Sequence, residues 1–164
     1  MSITFLLKDI IIRSKGEIVS LISHNEIPQV AMEFMNEVHK EDVDIINELS
    51  NLIIKYSEDA SEENATAIDA QYEKWYEHTL DHFEGEEIKM LELNFPPYAM
   101  HKGEHEKALA QMEALYRTWK KERNINALQQ YISKEIPQWL SNHIQTMDTI
   151  TAMFFKQQLG ALSL

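Results

Sequence analysis

The chain has 164 residues, with 27 acidic against 15 basic side chains and a net charge of −12. That balance repels nucleic-acid phosphates and anionic membrane surfaces and argues against both as partners. It has no cysteine, which excludes a disulfide framework, thiolate catalysis and iron–sulfur ligation, and leaves nitrogen and oxygen as the donors for any transition metal.

The opening stretch MSITFLLKDIIIRSKGEIVSLIS carries Lys8 and Asp9 inside its first apolar run. It has neither a basic leader nor a small-residue cleavage site, so the reading is a cytoplasmic chain without a signal peptide. Residues 1–25 form a short N-terminal extension, either a small hairpin or a separate short helix, because β-branched runs flank RSKGE. From Pro28 to about Glu58, Ala31, Met35, Val38, Ile45, Leu49 and Ile53 recur at helical spacing. The polar stretch SEDASEENATA reads as a connection. A second helix, about 63–92, carries Ile68, Tyr72, Trp75, Leu80, Phe83, Ile88 and Leu91, and NFPPY ends it because proline cannot continue a helix interior. A third runs from Tyr98 to about Arg123, with Leu109, Met112, Leu115, Tyr116 and Trp119 inside. NINALQQYISKE reads as a short extra helical segment, and the fourth helix begins near Pro137 and continues to about Gln158. Four long amphipathic helices with short links predict an all-α protein, an up-down-up-down four-helix bundle over residues 26–160.

Chelating residues fall on every one of these helices. His39 lies in the first, His82 and Glu86 in the second, His101 and His105 in the third, and His143 and Asp148 in the fourth. Residues four apart share a helix face, so HFEGEE and HKGEH aim their side chains at a common point. Taken singly, each pair could be a solvated helix surface or a satisfied core histidine. Coincidence on four helices at corresponding depth argues for a metal. Five imidazoles and two carboxylates exceed what one tetrahedral zinc or one facial-triad iron needs, and suit two ions with nitrogens capping and carboxylates bridging. The donor set favours iron or manganese, and its richness in imidazole favours iron. His24 reads as exposed. His78, one turn before His82, reads as a surface residue, with a supporting role behind the site as the alternative. His143 and Asp148 are five apart, about 140° around an ideal helix, so either the metals sit between the two directions or the helix widens into a π-turn over 143–148, and the π-turn is the expectation taken.

The pattern H…HxxxE…HxxxH…HxxxxD resembles the hemerythrin family over about residues 26–158, with HFEGEE, the FP before HKGEH, and WLSNHIQTMD matching in residue type and spacing. The resemblance implies a non-haem di-iron centre that binds O2 reversibly. His101, His105 and His143 would cap one iron, and His39 and His82 the other, whose open position takes O2. Glu86 and Asp148 would bridge the pair beside an oxo or hydroxo group. Trp139 and Leu140 match positions lining the O2 pocket. The implied role is oxygen storage, delivery, protection or sensing. The alternatives are a redox enzyme consuming peroxide or handling nitric oxide, and an iron or redox sensor. The ligand is dioxygen or a related small diatomic or peroxide, and no protein partner is indicated.

One departure bears on that role. Three residues after the first-helix histidine, where the family carries a bulky aliphatic, this chain has Asp42. Either Asp42 turns to the edge of the stripe, pairing with Lys40 or water while Val43 fills the pocket, or its carboxylate approaches the open iron as a ligand or proton donor.

Overall fold

The computed structural model describes residues 20–161, so the expectations for residues 1–19 lie outside the described residues. Four long helices run in alternating directions, and the described residues include no strand: α1 (Glu33–Glu58), α2 (Glu62–Glu92), α3 (Tyr98–Glu122) and α4 (residues 125–161). No helix among them is long and apolar enough to cross a membrane.

Local chemistry sets most boundaries. Helix α2 opens on Ser61, whose hydroxyl accepts from the Asn64 amide at 3.4 Å, with Glu62 and Glu63 in the first turn where the helix dipole favours negative charge. Of the stretch expected to be a connection, only residues 59–61 lie outside a helix. Helix α2 ends in a Schellman motif. Asn94 takes the left-handed conformation at φ 54°, the Phe95 amide donates to the Met90 carbonyl at 2.8 Å, and the Asn94 amide donates to Leu91 at 3.1 Å. Phe95 and Met90 both lie in the core, which supplies the motif's apolar contact and turns NFPP towards α3. Helix α1 starts at Glu33, five residues later than expected. The extended chain before it is held by Asn36, which accepts from the Val30 amide at 2.8 Å and donates to the Val30 carbonyl at 3.1 Å.

The largest departure is in α4. NINALQQYISKE is no separate segment. Ile125–Gln130 is α-helical, Tyr131–Glu135 forms a π-turn, Ile136–His143 is α-helical, Ile144–Asp148 forms a second π-turn, and Thr149–Ala161 completes the helix. The backbone stays right-handed helical at each junction. A proline inside a regular helix loses one hydrogen bond and clashes with the carbonyl four residues back. Here the Ile136 amide bonds to the Tyr131 carbonyl, five back, and the wider turn makes room for Pro137.

One half of the bundle is a dry core of Leu49, Ile53, Ile68, Tyr72, Trp119, Leu128 and Ile132, all almost wholly buried. Burying each such side chain stabilises the fold by roughly 1.5–3 kcal/mol. The other half buries the polar residues described next. Residues 20–30 lie along α1. Asn47 accepts from the amides of Leu21 and Ile22 and donates to the Ile22 carbonyl, and Ile22, Ile27 and Val30 enter the core. His24 is half-exposed and reaches Asp44 at 2.8 Å.

Candidate metal centre

All seven chelating residues named from the sequence converge between the helices and are buried or nearly so. Helical spacing accounts for their direction. His82 and Glu86 are one turn apart on α2, and His101 and His105 one turn apart on α3. On α4, spacing alone would point His143 and Asp148 apart, and the expected π-turn corrects it. The Thr149 amide and hydroxyl both donate to the Ile144 carbonyl, five residues back, the hydroxyl at 2.7 Å. His143 Nε2 then stands 3.3 Å from Asp148 Oδ1.

The donors sort into two groups. Glu86 Oε1 lies 3.2 Å from His82 Nε2, while Glu86 Oε2 lies 3.5 and 3.6 Å from the Nε2 atoms of His101 and His105. Asp148 Oδ2 lies 3.2 Å from His39 Nε2, while Asp148 Oδ1 lies 3.2 and 3.3 Å from the Nε2 atoms of His101 and His143. Each carboxylate thus presents one oxygen to a group of two imidazoles and the other to a group of three. Glu86 Oε2, both oxygens of Asp148, and Nε2 of His39 and His105 are buried and make no hydrogen bond. Leaving such atoms unpaired costs about 1–3 kcal/mol each, and a pair of cations between the two groups would satisfy them. His101 Nε2 and His143 Nε2 also face each other at 3.2 Å, which two neutral nitrogen lone pairs tolerate only around a shared cation or proton. The donor set fits two metal ions.

Behind the donors, hydrogen bonds fix the imidazoles. His105 Nδ1 is 3.1 Å from Glu87 Oε1, His101 Nδ1 is 2.9 Å from Thr151 Oγ1, and His82 Nδ1 is 3.0 Å from Asp42 Oδ2. Partners on Nδ1 direct Nε2 inward and raise its basicity as a ligand. Burial, with His101 and His143 alongside, pushes His105 down to about 2, which keeps its ring neutral. Phe83 stacks on His105 at 3.8 Å and Trp139 stacks on His143 at 4.6 Å between ring centres, which shields both rings from water. Glu87 and Thr151 escape the sequence reading, and Phe83 enters it only as part of the apolar face of its helix. Glu87 follows Glu86 directly in a run of acidic residues that looks solvated, and only the approach of α3 turns it inward, where Lys102 also reaches it at 2.6 Å.

Asp42 does not turn to the edge of the stripe; it lies in the interior beside His82. It is 4% exposed and bonds His82, and its other oxygen lies 3.3 Å from His78 Nε2. Lys40 reaches Glu33 instead. Burial opposes ionisation of Asp42, but His82 and His78 outweigh it and hold the carboxyl at about 2. His78 is therefore no plain surface residue: its side chain is 18% exposed and stands behind Asp42. Against the centre lies a cavity of about 30 Å³, lined by Asp42, Ile46, Trp75, Met112, Trp139 and Leu140 together with His82, His143 and Asp148. Val43 is not in its wall. Val43 is fully buried in the core, and Ile46, four residues after Asp42 and so on the same face, lines the cavity.

Comparison with known proteins places the chain in a family. The model of the hemerythrin HHE cation binding domain matches residues 30–154. A bacteriohemerythrin from Aquifex aeolicus is 31% identical over 140 residues, covering 85% of this chain and 98% of that protein. A bacteriohemerythrin from Methylococcus capsulatus is 26% identical over 118 residues, covering 71% of this chain and 82% of that protein. The fold is shared with a solved wild-type hemerythrin at 22% identity and a TM-score of 0.62, covering 82% of this chain and 95% of that one. A hemerythrin point mutant gives 22% and 0.66, covering 84% and 98%. The chain belongs to the hemerythrin family and is a hemerythrin-type iron-binding protein.

Proposed function

We propose that the centre holds two iron ions and that the protein binds dioxygen reversibly beside them, for storage, delivery or protection of oxygen-sensitive enzymes. The observation that carries this reading is the division of the donors: two carboxylates, each offering one oxygen to each imidazole group. His101, His105 and His143 would saturate one ion, whereas His39 and His82 alone cap the other and leave it room for a ligand. A pair of ferrous ions can supply two electrons to dioxygen together. The chain's own part is to hold the ions, to exclude water and to admit a small guest. The cavity of about 30 Å³ exceeds the ~10–15 Å³ needed for one water and suits a diatomic molecule. The working unit is residues 26–160, with 1–25 as an extension.

The test is metal analysis followed by optical spectra of the reduced protein before and after air. Two irons per chain and an absorption band that appears in air and disappears under vacuum support the reading. Zinc alone, or no metal, overturns it.

A second reading, redox turnover of peroxide, rests on Asp42. A charged carboxylate in the cavity wall, bonded to a ligand imidazole, replaces the aliphatic surface that would shield a bound guest. Asp42→Leu should then slow autoxidation by roughly tenfold, equivalent to about 1.4 kcal/mol. Asp42→Asn, which keeps the shape and removes the charge, separates that effect from the loss of support for His82. Unchanged autoxidation in both variants rejects it.

A further inference from the structure

We infer that a chain of aromatic residues forms an oxidation relay from the metal-centre cavity to a tyrosine-lined groove between α2 and α3, where a small one-electron reductant is consumed. This rests on the iron reading and extends it towards peroxide. Trp75 forms part of the cavity wall together with His82, His143 and Asp148. Tyr72 meets Trp75 edge-on at 5.3 Å between ring centres, and Tyr116 stacks on Tyr72 at 4.8 Å and 10°. Tyr72 and Tyr116 line, with Tyr76, a groove of about 300 Å³ on the far side. No gap in the aromatic chain exceeds one ring contact.

The phenols at the groove are prepared for oxidation. Tyr116 donates to Glu73 Oε1 at 2.6 Å, and Tyr76 donates to Glu113 Oε1 at 2.7 Å. Losing an electron makes a phenol strongly acidic, and a carboxylate already hydrogen-bonded to it takes the proton as the electron leaves. Packing alone does not call for this arrangement, since a phenol at a groove edge is satisfied by water. Glu73, Glu77 and Glu113 outnumber the single cation Arg117 in the groove lining, which favours a neutral or cationic electron-rich aromatic as the reductant.

The chemistry balances. Hydrogen peroxide needs two electrons and two protons to become two waters. Tyr116 supplies the electrons in two successive steps, each passing through Tyr72 and Trp75. Each step leaves a phenoxyl radical whose proton goes to Glu73 and on to solvent, while peroxide takes up two protons from solvent. A hydroquinone in the groove returns one hydrogen atom to each radical and leaves as quinone, so the net reaction is peroxide plus hydroquinone to two waters plus quinone.

The test uses iron-loaded protein freed of loose iron, with metal content and optical spectrum recorded first. Peroxide is added, the sample is frozen, and electron paramagnetic resonance is recorded for wild type, Tyr116→Phe and Tyr72→Phe. The expected result is a tyrosyl radical in wild type that falls at least tenfold in Tyr72→Phe. Peroxide-dependent oxidation of hydroquinone should fall likewise in both variants, with iron content and optical spectrum unchanged. Bound iron with no tyrosyl radical, or a radical and hydroquinone turnover undiminished in both variants, overturns the relay and leaves the iron reading standing. Absence of bound iron overturns both.

Discussion

Two buried carboxylates on opposite halves of this bundle have opposite surroundings. Asp69, near the start of α2, is saturated: Oδ1 accepts from Trp119 Nε1 at 2.7 Å and Arg123 Nη1 at 2.6 Å, and Oδ2 from Lys120 Nζ at 2.8 Å and Arg123 Nη2 at 2.9 Å. Asp148 is more deeply buried, yet neither of its oxygens has a hydrogen bond, and imidazole nitrogens surround it instead. Burying a charge is tolerable when fixed donors match it, as at Asp69. At Asp148 the protein supplies geometry and withholds the donors. The contrast separates a structural ion pair from a site built for cations.

The comparison can be broken at several points. The largest effect expected is from metal. Ferrous iron at roughly 100 to 1,000 times its dissociation constant should stabilise the chain by about 3–4 kcal/mol, read as a rise in melting temperature under anaerobic conditions. Asp148→Leu should abolish that rise, while Asp69→Leu should keep it. Next, Asp69→Leu should itself cost about 2–3 kcal/mol in chemical denaturation, because it leaves the buried Trp119 N–H and the Arg123 fork without their acceptor.

The third effect depends on pH. Burial opposes ionisation of Asp69, but Arg123, Lys120 and Trp119 hold its carboxyl at about 2, below the ordinary 3.8. A depressed folded-state value means that the stabilisation is complete above the unfolded value and is lost as pH falls through the folded one. Lys120 and Arg123 are partly solvated, so its size is about 1–2 kcal/mol. The stability gap between wild type and Asp69→Asn should therefore shrink between about pH 4 and pH 2, and a gap independent of pH there would deny the ion pair its role. The smallest effect is Asp148→Leu without iron. It should cost less than about 1 kcal/mol or be stabilising, because a carboxylate without hydrogen bonds is exchanged for a hydrocarbon. A loss as large as that of Asp69→Leu would mean that the two carboxylates are alike.

Both carboxylates were visible in the sequence, but only one announced itself. Asp148 stands in a pattern with five histidines and a glutamate, and 3.6-residue periodicity suffices to place six of the seven chelating residues on inward faces. Asp69 matches no motif, since its partners Lys120 and Arg123 lie at the far end of α3, about fifty positions away. The same limit hid Glu87 and Thr151, which become supports for His105 and His101 only when α3 and α4 close on the site.

What the sequence by itself determined is local: four amphipathic helices, the breaks within SEDASEENATA and at NFPPY, and the registers of His82 with Glu86 and of His101 with His105, because one helical turn relates them. It also required that α4 depart from α geometry between His143 and Asp148 if both were to face one point. Tertiary structure alone decided the rest. It carried α4 unbroken past Pro137 through a wider turn, set Ile46 rather than Val43 in the cavity wall, and gave Asp42 to His82 and His78. Each of these depends on which neighbouring helix lies opposite, and periodicity along one helix carries no information about its neighbour.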